Sequence, residues 1–181
     1  MIQPSGKVIA VFGGSRPPEH SPEYAEAYLV GKLLAQKGFV VMNGGYAGTM
    51  EASARGAREN GGRSLGVLSG EFNRLAPNAY LDETTTSPDL FARIREMQMR
   101  ADGFIVLKGS MGTLAELALV WNLAKIDSKH RKPIILLGDH WAQVLRVWGE
   151  HLAVTEEEAS LLQCAGKPEQ AVELMNRLLV G

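Results

Sequence analysis

Three observations predict an α/β fold, in which a mainly parallel sheet is covered by helices to give a Rossmann-like three-layer domain. Apolar runs of strand length alternate along the chain with longer segments of helical periodicity. Several of the runs are unbroken, as in strands that are covered on both faces. Three of them lead directly into loops rich in glycine, serine or threonine. The alternation occupies residues 1–181 without repeats or linkers, so we expect one domain with right-handed crossovers.

The first part of the chain supplies three strands and two helices. The first helix ends at Gly38, a typical stop signal, and the second consists largely of small residues suited to close packing on a sheet. The strands are predicted over residues 7–12, 39–42 and 64–68, and the helices over residues 22–36 and 50–59.

The pattern weakens over residues 69–87, where only a short strand near residues 79–81 is indicated. A loop of this length in a compact domain is usually functional or mobile. A helix is then predicted over residues 88–100, with Ser87 as its N-cap and Pro88 at its first position.

The remaining elements follow the same alternation. Thr155 and Glu158 have the spacing of a capping box, which marks the start of a short helix. Buried strands are predicted over residues 104–107 and 133–137, and helices from residue 114, over residues 141–148, from Thr155 and over residues 169–179.

The composition excludes several classes of protein. The chain has 181 residues, of which 45% are hydrophobic and 22% charged, which is sufficient for one core. Its net charge of −1 gives no basic surface for nucleic acid, and no apolar run reaches membrane-spanning length or resembles a signal peptide. The single cysteine, Cys164, excludes an intrachain disulfide and a cysteine-based metal site, which favours a cytoplasmic protein.

The three glycine-rich loops all follow strands, whose carboxyl ends meet at one edge of a parallel sheet. Backbone amides and hydroxyls at such an edge are good donors to phosphate. None of the loops has the dinucleotide fingerprint or the P-loop pattern, so a phosphorylated small molecule is favoured over NAD binding or ATP hydrolysis. The predicted binding residues are Gly13, Gly14, Ser15, Gly44, Gly45, Gly48, Thr49, Gly109, Ser110, Gly112 and Thr113.

The same loops resemble a known family. Residues 44–62 are similar to its GGG-x-x-G-x-M-x-x-x-x-x-G-A-x-x-x-G-G segment, and residues 108–116 to its PGG-x-GT-x-x-E signature. The opening Phe12-Gly13-Gly14-Ser15 resembles its serine-glycine loop. This is the Lonely Guy family of cytokinin riboside 5′-monophosphate phosphoribohydrolases, formerly labelled possible lysine decarboxylases. The resemblance covers roughly residues 7–145.

The resemblance implies a homodimer that hydrolyses the N-glycosidic bond of an AMP-like nucleoside 5′-monophosphate, with no metal or redox cofactor. It implies catalytic roles for Glu116 and Arg93, with Arg93 clamping the 5′-phosphate or the ribose. The dimer surface is expected around Met97 and residues 117–123. The related molybdenum cofactor carrier proteins suggest an alternative, in which the chain binds a nucleotide or a pterin cofactor without catalysis.

This sequence departs from the signature at four positions. Lys108 replaces proline, Ser110 replaces the second glycine, Ala115 replaces the first of two glutamates, and Ile94 replaces a lysine. These changes favour the carrier alternative, whereas retention of Arg93 and Glu116 favours the enzyme.

Several charged residues have two interpretations in the sequence. Glu116 either stabilises an oxocarbenium-like state and orients water, or is a first-turn glutamate favoured by the helix dipole. Arg93 either clamps an anion or belongs to a solvated helix face. Lys108 either adds charge at the phosphate loop or points outward, and Arg16 either reaches the substrate or belongs to a rigid turn.

The remaining reactive residues give weaker signals. The histidines lack metal-ligand spacing and are interpreted as surface residues, the tryptophans as core or dimer contacts, and Cys164 as structural within a C-terminal helix. The acid that assists the departing base is unassigned, with Asp82, Glu83 and Asp102 as candidates.

Overall fold

The computed structural model describes residues 6–72, 75–127 and 131–181. Its centre is a seven-stranded sheet in which every neighbouring pair is parallel. The strand order is β4-β3-β2-β1-β5-β6-β7. The strands are β1 (Val8–Phe12), β2 (Val40–Asn43), β3 (Arg63–Ser69), β4 (Glu83–Ser87), β5 (Gly103–Val106), β6 (Ile134–Leu137) and β7 (Leu162–Ala165).

Helices cover both faces of this sheet, so the predicted three-layer α/β fold is confirmed. A short 3-10 helix (Gly70–Phe72) follows β3. The α-helices are α1 (Pro22–Gln36), α2 (Thr49–Glu59), α3 (Leu90–Arg100), α4 (Met111–Ile126), α5 (His140–His151), α6 (Glu156–Ala159) and α7 (Pro168–Val180).

The central strands are apolar on both sides because both sides are buried, as expected for a covered parallel sheet. Val11 and Ile105 face α1, α2 and α7 in one core cluster. Phe12 and Phe104 face α3, α4 and α5 in the other, with their rings stacked at a centroid distance of 5.5 Å. The apolar runs in the sequence are therefore unbroken because each central strand contributes side chains to two cores, one on each face of the sheet.

The strand order reverses between β1 and β5. From β1 the chain builds outward to β4, then returns to the other side of β1 and builds outward again to β7. A crevice forms at the carboxyl ends of the two strands where such a sheet changes direction, and ligands bind there. The loops after β1 and β5 flank this crevice.

Two edge strands differ from the sequence predictions. The strand expected near residues 79–81 is instead β4, four residues further on, and β7 is not indicated by the sequence pattern. The residues of β4, ETTTS, are mostly exposed, and those of β7, LQCA, are covered only in part, because each strand lies at a sheet edge. Cys164 consequently lies in β7, and its assignment to a helix was wrong.

Several helix ends and surfaces were predicted with mixed success. The capping box of Thr155 and Glu158 is confirmed. The helix over 88–100 begins later than expected, because Asp89 rather than Ser87 is the N-cap and accepts a hydrogen bond from the amide of Ala92. Met97, which was expected to offer dimer surface, is fully buried in the core, as is Leu117. No helix in the described part of the chain is long and apolar enough to cross a membrane.

Candidate active site

A cavity of about 310 Å³ opens at the crevice between β1 and β5. This volume is at the lower end of the range for small-molecule sites. The polar residues lie on one side of its wall and come from the loops after β1 and β5, from the first turn of α3 and from the first two turns of α4. The polar lining residues are Gly13, Ser15, Arg93, Ser110, Gly112, Thr113 and Glu116.

Arg93 lies in the first turn of α3 and only 5% of its surface is exposed. Its Nε donates a hydrogen bond of 2.7 Å to the carbonyl of Val67 in β3. Its guanidinium carbon lies 5.8 Å from the ring centroid of Tyr46, within the range of a cation–π contact. The alternative in which Arg93 belongs to a solvated helix face is therefore wrong. The arginine is held with its Nη1 facing Glu116 and its Nη2 packed against Gly44.

Glu116 lies in the second turn of α4 and is 7% exposed. Its Oε1 is 3.6 Å from Nη1 of Arg93, which is an ion-pair distance slightly beyond hydrogen-bond length. Burial raises the pKa of Glu116 to about 7, and the opposing effect of the Arg93 charge is smaller. A carboxyl group that is partly ionised near neutral pH can exchange a proton with a reacting group in either direction.

Apart from Tyr46, which lines the cavity, the loop over residues 43–49 lies behind the cavity wall. Gly44 contacts Arg93 so closely that a Cβ atom at this position would lie 1.7 Å from Nη2. The amide of Gly45 donates to the side chain of Asn43. Gly48 and Thr49 contact the loop after β1, where both the amide and the hydroxyl of Thr49 donate to the carbonyl of Gly14. The structure thus places four predicted binding residues in supporting positions.

The loop over residues 108–113 faces the cavity directly. Ser110 is the N-cap of α4, yet its hydroxyl makes no capping hydrogen bond. The hydroxyl oxygen of Thr113 is buried and has no hydrogen-bond partner among the described residues. Unpaired amides at a helix N-terminus attract anions, and here α4 presents that end to the cavity. This loop therefore places hydroxyl groups and the N-terminus of α4 at the cavity wall.

A second, smaller cavity of about 190 Å³ adjoins the first. Ser15 and Ser110 line both cavities, so the two are neighbours along the same pair of loops. Lys108 is largely exposed, and its Nζ lies 3.4 Å from Oε1 of Glu23. The lining residues of this cavity are Gly14, Ser15, Arg16, Pro17, Glu23, Lys108, Gly109 and Ser110.

The three acids suggested for the departing base lie at the opposite edge of the sheet. Asp102 accepts a hydrogen bond from the amide of Val8, at the start of β1. Asp82 accepts from the amide of Ser64, at the start of β3. Glu83 forms ion pairs with two arginines, Arg63 and Arg100. All three stabilise the amino ends of strands, and none reaches the cavity.

The histidines and the substituted signature positions also have defined locations. His140 is half-buried, so its interpretation as a surface residue was incomplete. The pKa of His140 is lowered mainly by burial and to a smaller extent by the positive charge of Lys108. His130 lies outside the described residues. Ile94 is buried and Ala115 is exposed, and neither lines the cavity. Within residues 6–72, 75–127 and 131–181 no group of three metal-ligating side chains is assembled.

The apolar half of the cavity was not predicted. Tyr46 packs edge-on against Phe72 with ring centroids 5.9 Å apart, and its hydroxyl exchanges hydrogen bonds with the backbone of Ser69. The apolar lining residues are Tyr46, Met50, Phe72, Leu75 and Leu90. A polar loop with scattered aromatic residues, such as residues 69–87, gives little indication of a binding wall in the sequence alone.

Comparison with known proteins places the chain among nucleotide-processing relatives. A family model described as "LDcluster4: SLOG cluster4 family" matches residues 6–172. The cytokinin riboside 5′-monophosphate phosphoribohydrolase of Mycobacterium marinum is 34% identical over 158 residues, which cover 84% of this chain and 82% of the relative. The enzyme of the same name from Mycobacterium tuberculosis is 36% identical over 137 residues, covering 71% and 72%.

Among solved structures, the molybdenum cofactor binding protein from Rippkaea orientalis superimposes with a TM-score of 0.77 at 26% identity. The superposition covers 96% of this chain and 97% of that protein. The chain is therefore similar in sequence to relatives named as enzymes and in structure to a protein named for cofactor binding.

Proposed function

This chain belongs to the SLOG cluster4 family, and we propose that it hydrolyses the N-glycosidic bond of a purine nucleoside 5′-monophosphate to the free base and ribose 5-phosphate. The resemblance of its glycine motifs to the Lonely Guy enzymes is confirmed by relatives that carry that activity in their names. AMP or an N6-modified derivative is the proposed substrate, and the reaction needs no cofactor.

The observation that carries the proposal is the buried pair of Arg93 and Glu116 in the wall of the cavity. Burying two charged groups costs free energy unless each has partners, and a binding pocket alone would not need the carboxylate. Perturbed carboxyl groups beside a fixed cation are typical of catalytic sites.

The chemistry follows from the properties of Glu116. Cleavage of an N-glycosidic bond develops positive charge on the ribose, which an ionised carboxylate at the cavity wall stabilises. The same carboxylate orients the water and accepts its proton. Glu116 is the only carboxylate in the described lining of this cavity, so one acidic group serves the proton transfers that two carboxylates share in most glycosidases.

The two halves of the cavity suggest how the substrate lies. The base packs against the apolar wall of Tyr46 and Phe72, and the 5′-phosphate is held by Ser110, Thr113 and the start of α4. Arg93 orients the ribose or the phosphate between them. This orientation places the glycosidic bond beside Glu116.

The likeness to a molybdenum cofactor binding protein supports a second candidate, non-catalytic binding of a nucleotide or pterin. The two functions differ in what happens to a bound nucleotide. A carrier releases it intact after long incubation, whereas the proposed enzyme releases free base.

We further propose a homodimer that acts in the cytoplasm. Helix α4 is apolar around most of its circumference, yet Met111 and Ile126 are exposed on it, which supports an additional covered surface. A nucleotide substrate and a single cysteine fit an intracellular protein. Light scattering that gives the mass of two chains at micromolar concentration would support the dimer, and a monomer mass would contradict it.

The decisive experiment is incubation with a panel of nucleoside monophosphates, followed by chromatography for released base. We expect base and ribose 5-phosphate from AMP or an N6-modified relative, and little from the Glu116→Gln variant. Release that is undiminished in this variant would contradict the mechanism, and an intact co-purified nucleotide would favour the carrier.

A further inference from the structure

The second cavity, defined above by residues 14–17, Glu23 and residues 108–110, has no role in the proposed hydrolysis. We call it the Arg16–Lys108 cavity. It lies at the same edge of the sheet as the active site and directly beside its phosphate-binding loop. Two of its residues, Arg16 and Lys108, carry positive charge, and one, Glu23, carries negative charge.

The two cations differ in their contacts. Arg16 is exposed and has no ion-pair or hydrogen-bond partner among the described residues. Lys108 contacts Glu23 across 3.4 Å while 64% of its side chain remains exposed, so this pair contributes little to stability. An anion with more than one charge can therefore recruit Arg16 and compete with Glu23 for Lys108 at small cost.

The Arg16–Lys108 cavity also shares part of its wall with the active site. Gly14 and Gly109 contribute backbone to its lining. A Cβ atom at Gly109 would lie 2.0 Å from the hydroxyl oxygen of Thr113, so this glycine allows close packing between the cavity wall and the start of α4. Ser15 and Ser110 line both this cavity and the active site. A phosphate held between the two serines would therefore have its next bonded group inside the Arg16–Lys108 cavity.

We propose that the Arg16–Lys108 cavity is a subsite for a second phosphate, so that the protein binds nucleoside 5′-diphosphates in preference to monophosphates. The proposal rests on the nucleotide ligand proposed above. Lys108 replaces the proline of the resembled signature, so the added charge is a property of this chain. Ser110, in place of a glycine, supplies a hydroxyl where the two cavities meet.

The test measures equilibrium binding of AMP and ADP by titration calorimetry, without divalent cations, to the Glu116→Gln protein, which prevents turnover. We expect ADP to bind about tenfold more tightly than AMP, as for a charge-assisted contact made by both cations. Lys108→Gln and Arg16→Gln should each reduce this ratio, and the double variant should bring it near one. Lys37→Gln is the matched control and should leave the ratio unchanged. Lys37 is a partly exposed lysine at the C-terminal end of α1, and like Lys108 it is paired with a glutamate, Glu173.

Inorganic pyrophosphate and phosphate separate this inference from the proposed function. If pyrophosphate binds more tightly than phosphate and the difference depends on Lys108, the subsite stands even when no nucleoside monophosphate is hydrolysed. Equal binding of AMP and ADP, or an ADP preference that survives the double substitution, overturns the inference and leaves the proposed hydrolysis intact. Failure to bind AMP, ADP or pyrophosphate overturns both.

Discussion

Two loops that look alike in the sequence have opposite roles in the structure. Residues 43–49 after β2 and residues 108–113 after β5 are both rich in glycine and hydroxyl side chains. All but one of the first group are buried, whereas most of the second group are exposed to the cavities. The glycines of the first loop pack against Arg93 and the loop after β1, and only Tyr46 of that loop lines the cavity, whereas Ser110, Gly112 and Thr113 of the second loop all line it. Glycine in a loop thus serves close packing in one case and ligand approach in the other.

The largest effect that separates the loops is expected at Gly48. Its φ of 69° lies where residues with a side chain are strained, and an added Cβ atom would lie 2.4 Å from the carbonyl oxygen of Gly14. We expect Gly48→Ala to lower the free energy of unfolding by roughly 2–5 kcal/mol through strain and overpacking. Urea denaturation measures the loss. A change below about 0.5 kcal/mol would show that the loop is looser than the structure indicates.

The chemistry is expected to depend on the helix that follows the second loop. Glu116→Gln should reduce kcat by on the order of a hundredfold while binding of the nucleotide changes little, because the carboxylate acts in the transition state. In the wild-type protein kcat/KM should rise with pH through about 7, as Glu116 ionises, and this rise should be absent from the variant. Steady-state kinetics at about ten pH values between pH 5 and pH 9 would measure both effects.

Glu51→Gln provides a matched control for that measurement. Glu51 lies in the helix that follows the first loop and accepts a hydrogen bond from Tyr24 away from the cavity. Replacing Glu51 should leave the rise of kcat/KM with pH unchanged. If the rise of kcat/KM with pH is lost in both variants, its cause is a general effect on the fold rather than the ionisation of Glu116.

The same carboxyl group makes a smaller prediction about stability. The pKa of Glu116 is raised in the folded protein, so folding takes up a proton between pH 4.5 and about 7. The contribution of protonated Glu116 to the free energy of unfolding is fully present below pH 4.5 and is lost as pH rises to about 7. This loss amounts to up to about 3 kcal/mol. Glu116→Gln does not titrate, so its stability relative to wild type should increase over this range.

Denaturation at pH 4.5 and pH 8 checks the sign of this difference. Glu173→Gln is a useful comparison, because Lys37 lowers the pKa of that exposed carboxyl group and any trend should run the other way. A stability difference between Glu116→Gln and wild type that is independent of pH would contradict a raised pKa at Glu116.

Much of the fold was predictable because central strands and amphipathic helices leave strong patterns. Helix α1 was predicted with the observed limits, and the strands around β1 and β5 to within about a residue. The edge strands β4 and β7 were misplaced or missed, because a strand with one neighbour buries too little surface to need an apolar run.

The site was predictable only where the sequence carries a motif. Glu116 and Ser110 were found because the signature fixes their spacing, and the structure brings both to one cavity. The burial of Arg93 could not be predicted, because it depends on Gly44 and the carbonyl of Val67, which are distant in the sequence. The apolar wall of Tyr46 and Phe72 likewise depends on how two loops pack.

The smallest effect on stability is expected at Gly112, in the second loop. Gly112 lies in the first turn of α4 and lines the cavity, and a Cβ atom added there would contact nothing within 4 Å. We expect Gly112→Ala to leave the protein as stable as wild type or to stabilise it by up to about 1 kcal/mol, since alanine is the better helix former. The added methyl group occupies space at the polar wall, so KM for the nucleotide should rise severalfold. Parallel urea denaturation and kinetics on Gly112→Ala and Gly48→Ala compare the two loops directly. A loss of stability at Gly112 as large as that at Gly48 would mean that both loops are packing elements, and the phosphate would then have to be held elsewhere.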